Sequence, residues 1–300
     1  METVKERLFG TDAEVASVIP DVNDIPYLVP PVWLEKMEGA KVIGNYGDDT
    51  HPIYLENESG FWFRDGALWE TAFPPVTEAK QMYDAFRKAK ENLAEYLSKY
   101  NLEIFDKPVA RFDISKYVHL AEADIREACV AGCDPDFDAI QTKYSCKTRD
   151  LTQWKYRSMG GHLHLSISTD YGKILHRKRN TLVRLLAILV GNAGVATAEA
   201  PELEKIRREQ FGDAGRHRFP TYPDGKAGVE YRSLSVTWLN SLETIETVLD
   251  LADTALEIML FNPELTRHLI LTYLDSTVDC IREVDVEGSK NILKRIYKDI

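Results

Sequence analysis

Leu8 to Val18 is mainly apolar with Asp12 and Glu14 two residues apart, and reads as an opening strand that carries both acids on one face. Residues 19–47 are proline-rich and lose any period, so they read as an extended loop with short strand pieces. Residues 51–73 read as a hairpin or meander. Ile53-Tyr54-Leu55 leads into the turn signal Asn57-Glu58-Ser59-Gly60, Phe61-Trp62-Phe63 into Asp65-Gly66, and a last strand carries Glu70. Pro74-Pro75 ends that strand, and Thr77 is placed to cap a long helix to about residue 100. Its stripe of Met82, Phe86, Ala89, Leu93, Tyr96 and Leu97 recurs at helical spacing and belongs to the core.

A shorter helix is expected over about 121–132, followed by the acidic run Cys133-Asp134-Pro135-Asp136-Phe137-Asp138. Gly160-Gly161-His162-Leu163-His164-Leu165-Ser166 reads as a strand with a greasy face and a face of two imidazoles. Helices are expected over about 177–190 and from Pro201 to Gly212. A Gly- and Arg-rich loop then leads into a strand from Val229 to Leu234. Beyond Ser241 the pattern is helical, with breaks near Asn262-Pro263 and Gly288. Strands and long helices in mixed order, with few βαβ units, predict an α+β fold. No repeat or low-complexity linker divides residues 1–300, so a single domain is expected.

The apolar fraction of 44% permits a sizeable core, and the net charge of −11 argues against a nucleic-acid partner. Arg and Lys nevertheless gather at 173–179 and 205–218. Four cysteines make no disulfide framework, and Cys129-x3-Cys133 lacks the second pair that a zinc site needs. No signal-peptide pattern or spanning apolar run is present, so a cytoplasmic protein without a membrane partner is expected.

Several polar pairs share an i, i+2 spacing that puts both members on one strand face: Asp12-x-Glu14, Asp134-x-Asp136, His162-x-His164 and Glu230-x-Arg232. With 48 acids in 300 residues, chance supplies about eight acid-x-acid pairs, so the acids alone carry little. Seven histidines give roughly 0.16 expected His-x-His pairs, which makes that pair informative. Bland readings stand beside each: a wet strand face, a cross-strand salt bridge at Glu230 and Arg232, and a proline that weakens the strand at Asp136. Joined on one sheet, carboxylates and an imidazole would bind Mg²⁺ or Mn²⁺, and Arg216, Arg218 and Arg232 would meet a phosphate. No Walker-type phosphate loop is present.

In this order the motifs resemble the glutamine synthetase superfamily, and most closely its phage-type carboxylate–amine ligases. The resemblance rests on FGTDAEV, DGALWETAFPP, GCDPDFDA, GGHLHLS, an AG-x-x-R loop and GVEYRSLS, and covers roughly residues 8–240. It implies a curved antiparallel sheet with the site on its concave face and helices on the convex one. It also implies an ATP- and Mg²⁺-dependent ligase that phosphorylates a carboxylate, from a small molecule or peptide, and joins it to an amine. Asp12, Glu14, Glu70, His162 and Glu230 then correspond to metal ligands. Arg232, with Arg216 or Arg218, corresponds to the phosphate clamp, and His164 lies toward the nucleotide. Asp134 and Asp136 match the phage motif as metal or substrate ligands. The opening pair is Asp-x-Glu where glutamine synthetase carries two glutamates, and His217 is an addition to the arginine loop. The separate N-terminal domain of true synthetases has no counterpart, so a simpler homo-oligomer is left open and their ring assembly is not expected. Two rival readings remain: a guanidino-type kinase on the same fold, and a degenerate binding or structural member.

Overall fold

A computed structural model of the chain describes residues 7–20, 25–46, 51–57, 60–129, 136–145, 152, 154–167, 169–220 and 226–300. The first described element is β1 (Leu8–Val18), in which burial alternates up to Asp12 and is continuous from Ala13 to Val18. Helix α1 (Pro31–Glu38) comes next, followed by β2 (Gly44–Tyr46), β3 (His51–Asn57), β4 (Gly60–Asp65) and β5 (Leu68–Ala72). Helix α2 (Ala79–Ser98) precedes the short β6 (Glu103–Phe105) and β7 (Val109–Arg111), and α3 (Glu122–Cys129) follows. β8 (Asp136–Asp138), β9 (Lys143–Ser145), β10 (Tyr156–Ser158) and β11 (Gly161–Ile167) lead to α4 (Thr169–Leu186). A π-helical turn at Ala187–Gly191 carries α4 into α5 (Asn192–Ala196), and α6 (Pro201–Arg208) follows. Then come β12 (Arg216–Arg218), β13 (Ala227–Tyr231), α7 (Leu242–Phe261), α8 (Pro263–Glu283) and α9 (Val286–Asp299).

The strands form a large antiparallel sheet in the order β2-β3-β4-β5-β1-β11-β13-β12-β8-β9, with β6 also pairing to β1. β7 and β10 make a separate two-stranded ladder. The fold is thus mixed, with helices packed on a mainly antiparallel sheet.

Alternation decides which face the helices take. Trp62 points from β4 toward α2, where its indole N–H donates to the Ala89 carbonyl at 3.0 Å. Met82, Phe86, Ala89, Leu93 and Leu97 of α2 are buried, at the spacing the sequence predicts. Glu78 and Gln81 form a reciprocal capping box at its start, while the Thr77 N–H and hydroxyl both donate to Gln81. Leu163 and Leu165 of β11, with Val229 and Tyr231 of β13, are buried in the same core as α4 and α7. The residues between them, His162, His164 and Glu230, face the other way.

Several elements differ from the sequence reading. The proline-rich stretch contains α1, which Pro31 starts at its first turn and Gly39 ends in a left-handed conformation. Helix α4 begins at Thr169, eight residues before the expected start. The last break falls at Val284, in a left-handed conformation, and Asp285; Asp285 caps α9 by accepting the Gly288 N–H. Among the described residues no helix is long and apolar enough to cross a membrane.

Candidate metal and phosphate site

Strand register brings the sequence candidates onto one sheet face. Asp12 pairs with His162 across β1 and β11, Glu14 with Glu70 across β1 and β5, and His164 with Glu230 across β11 and β13. Arg218 stands opposite Glu230 on β12. Directly opposed residues in antiparallel strands have Cβ atoms about 5 Å apart, so these pairs are in contact range.

The ligands fall into two groups. Asp12, His162 and Glu230 each offer an atom within 4.8 Å of the others, and so do Glu14, Asp65 and Glu70. The sequence reading gathers five of these six and misses Asp65, which it treats as part of the Asp65-Gly66 turn. The missing signal was register. The Asp65–Leu68 pair closes a two-residue loop, which places Phe63 opposite Glu70 and puts Asp65 on the glutamate's face.

Both triads fit hard divalent cations. They are oxygen-rich with one imidazole between them, the donor set Mg²⁺ and Mn²⁺ prefer. Asp65 Oδ1 is buried and accepts no hydrogen bond. Glu70 is pushed well above the usual carboxylate range, by burial first and then by Asp12, Asp65 and Glu14. Glu14 is raised to about 7 by burial and by Asp65, although the Gly160 N–H donates to its Oε2 at 2.5 Å. Burial likewise raises Asp65, against the nearby His51. Three carboxylates raised together form a concentrated acidic cluster in which the charged forms are disfavoured.

The two histidines differ. His162 is held well below its ordinary value by burial and then by Arg232, which keeps its ring neutral and one ring nitrogen free to ligate a metal. Its Nδ1 lies 3.3 Å from Glu230 Oε1. Burial lowers His164, but the Asp12 carboxylate outweighs it and the net shift is upward. His164 Nε2 and Asp12 Oδ2 are 2.8 Å apart. Burial also works against Asp12, and His164, Arg232 and Arg218 hold it below the usual range.

The arginines separate as well. Arg232, just beyond the end of β13, donates to Glu230 Oε1, and Arg218 Nη1 stands 3.8 Å from Glu230 Oε2. Arg216 is turned to Asp136 at 2.6 Å and Asp213 at 3.2 Å. Arg216 and Arg218 sit on β12, not in a loop as the sequence suggests, because His217 and Arg218 pair with β13 and Arg216 and His217 with β8. Asp136 opens β8, with Arg232 Nε 3.8 Å from its Oδ2, and burial raises its carboxyl against the pull of Arg216. Asp134 lies outside the described residues.

The Gly pair before His162 is needed for packing. A Cβ on Gly160 would come within 2.8 Å of His162 Nε2 and 3.2 Å of Glu14 Oε2. One on Gly161 would strike Trp238 Nε1 at 2.8 Å, and that indole donates to the Gly161 carbonyl. No model of a known protein family matches the chain, and a comparison with curated proteins finds no match.

Proposed function

We propose that this chain is an ATP- and Mg²⁺-dependent carboxylate–amine ligase with a glutamine synthetase-like fold, akin to the phage-type branch and acting on small cytoplasmic substrates. The observation that carries the reading is the pair of three-ligand clusters on one antiparallel face, flanked by Arg218 and Arg232. The motif order of the sequence supports it independently. Asp12, His162 and Glu230 would hold one divalent cation, and Glu14, Asp65 and Glu70 a second.

Cations bound there would neutralise phosphate charge and stabilise it during transfer. The chain's own groups set the rest. Arg218 and Arg232 bring two fixed positive charges to the edge of the Glu230 cluster, where an anionic transferred group gains most from them. His164, hydrogen-bonded to Asp12, orients that carboxylate. Glu230 holds Arg232 in place and lies within reach of His162 and Arg218. The carboxylate substrate would receive phosphate, and the amine would then displace it.

Incubation with ATP, Mg²⁺ and pools of amino acids, polyamines and short peptides should release ADP and phosphate in a substrate-dependent way. Mass spectrometry should find a product lighter by one water than its two parents. Glu230→Ala should slow turnover by at least about 100-fold, the scale of losing one electrostatic group in a preorganised site. Wild-type rates in that variant would remove the assignment, and a stable phosphorylated acceptor would replace ligation by a kinase reaction.

A further inference from the structure

Beyond the acidic clusters the same sheet face becomes aromatic. Phe63 is the direct cross-strand partner of Glu70, and Phe61 lies two residues along β4 on the same side. Tyr46 of β2 leans over both, its ring centre 4.9 Å from that of Phe61 and 4.8 Å from that of Phe63. His51, opposite Tyr46 on β3, adds a ring 5.6 Å from Phe63. Phe63 is the buried floor of this group, whereas Tyr46 remains 43% exposed despite two aromatic contacts. An aromatic ring held in place yet open to solvent is suited to receive another ring.

Charge narrows what that ring can be. Glu70 stands directly across from Phe63, so the rings border a carboxylate. Asp65 stands at the end of the strand that carries Phe61 and Phe63. An anionic acceptor would be repelled there and would gain more on the opposite flank, beside Arg218 and Arg232. An uncharged planar group suffers no such penalty. β4 lies two strands from β1, about 10 Å at the usual strand spacing, a gap that a ribose and phosphate chain can bridge from the clusters.

We propose that Tyr46, Phe61 and Phe63 form a stacking platform for the base of the nucleotide whose phosphates the clusters hold. The platform rests on the nucleotide-dependent reading of the site. It grips through π-faces and so tolerates different bases, while the metal and arginine groups supply the phosphate affinity.

Calorimetric titration of the full chain in Mg²⁺ tests this, with a non-hydrolysable ATP analogue and inorganic triphosphate as the two probes. Wild type should bind the analogue more tightly than triphosphate. Tyr46→Ala and Phe61→Ala should each weaken the analogue by about 10-fold and leave triphosphate unchanged. Tyr46→Phe, which keeps the ring, should bind like wild type. Melting of the ligand-free variants separates a lost contact from a lost fold. Unchanged analogue affinity in Tyr46→Ala, or an equal loss for both probes, would overturn the platform. So would a wild type that binds triphosphate as tightly as the analogue, though that result leaves the phosphate site standing. Binding of neither probe would remove the ligase reading together with the platform.

Discussion

At the scale of single residues the informative fact is that Glu14, Asp65 and Glu70 are all raised by burial, and Glu14 and Glu70 further by neighbouring acids. Glu14 has a folded value of about 7 against 4.5 for the ordinary side chain. Between those values the native chain binds more protons than the unfolded one, so this group's contribution to stability falls as pH rises through the window. Glu14→Gln mimics the protonated side chain and escapes the loss. In a metal-free sample with chelator, the variant should gain on wild type from pH 5 to pH 8. The gain should be on the order of 3 kcal/mol, read as the difference in denaturant midpoints. A constant difference across that range would mean Glu14 titrates normally. The His-x-His pair was legible because histidine is scarce, and Asp12 and Glu14 because they interrupt an apolar strand at every second position. Asp65 was not, since an Asp-Gly pair reads first as a turn. Only the pairing of Phe63 with Glu70 reveals which face it joins.

At the scale of elements, long periodic segments were readable and short ones were not. β1 and α2 lie where their periodicity puts them, because each buries a complete apolar face. β12 has three residues and no apolar pattern; it exists through its pairing with β13 and β8, information the local sequence does not hold. α6 shows how a surface-looking helix secures the site. Arg207 is buried and donates to the carbonyls of Met159, Ser233 and Leu234 at 3.2, 2.9 and 2.7 Å. It therefore ties the turn before His162 to the segment after Arg232. Arg207→Ala should cost about 3–5 kcal/mol in denaturant unfolding, the range for removing one partner of a buried ionic network. Arg207→Lys should recover only a small part, since one ammonium cannot span three carbonyls from a fixed fork. A variant as stable as wild type would show that these carbonyls find other partners.

Across the whole molecule, the sheet face changes character from one flank to the other. Aromatic rings on β2 and β4 give way to carboxylates on β4, β5 and β1, then to imidazoles on β11 and arginines around β12 and β13. Helices α7, α8 and α9 build the core behind this face and contribute none of its candidate ligands, which agrees with the sparse chemistry of their sequence. Because Asp12, His162 and Glu230 form one ligand group and Glu14, Asp65 and Glu70 another, two separate ions should bind. Titration with Mn²⁺, counted by electron paramagnetic resonance, should give a stoichiometry of two in wild type. Asp65→Ala should remove one ion and leave the other, and His162→Ala should do the same for the opposite triad. The Asp65→Ala loss should be larger at pH 8 than at pH 6, where protons already occupy the Glu14 cluster and compete with the metal. A single ion lost in full by either substitution would mean the six ligands form one site.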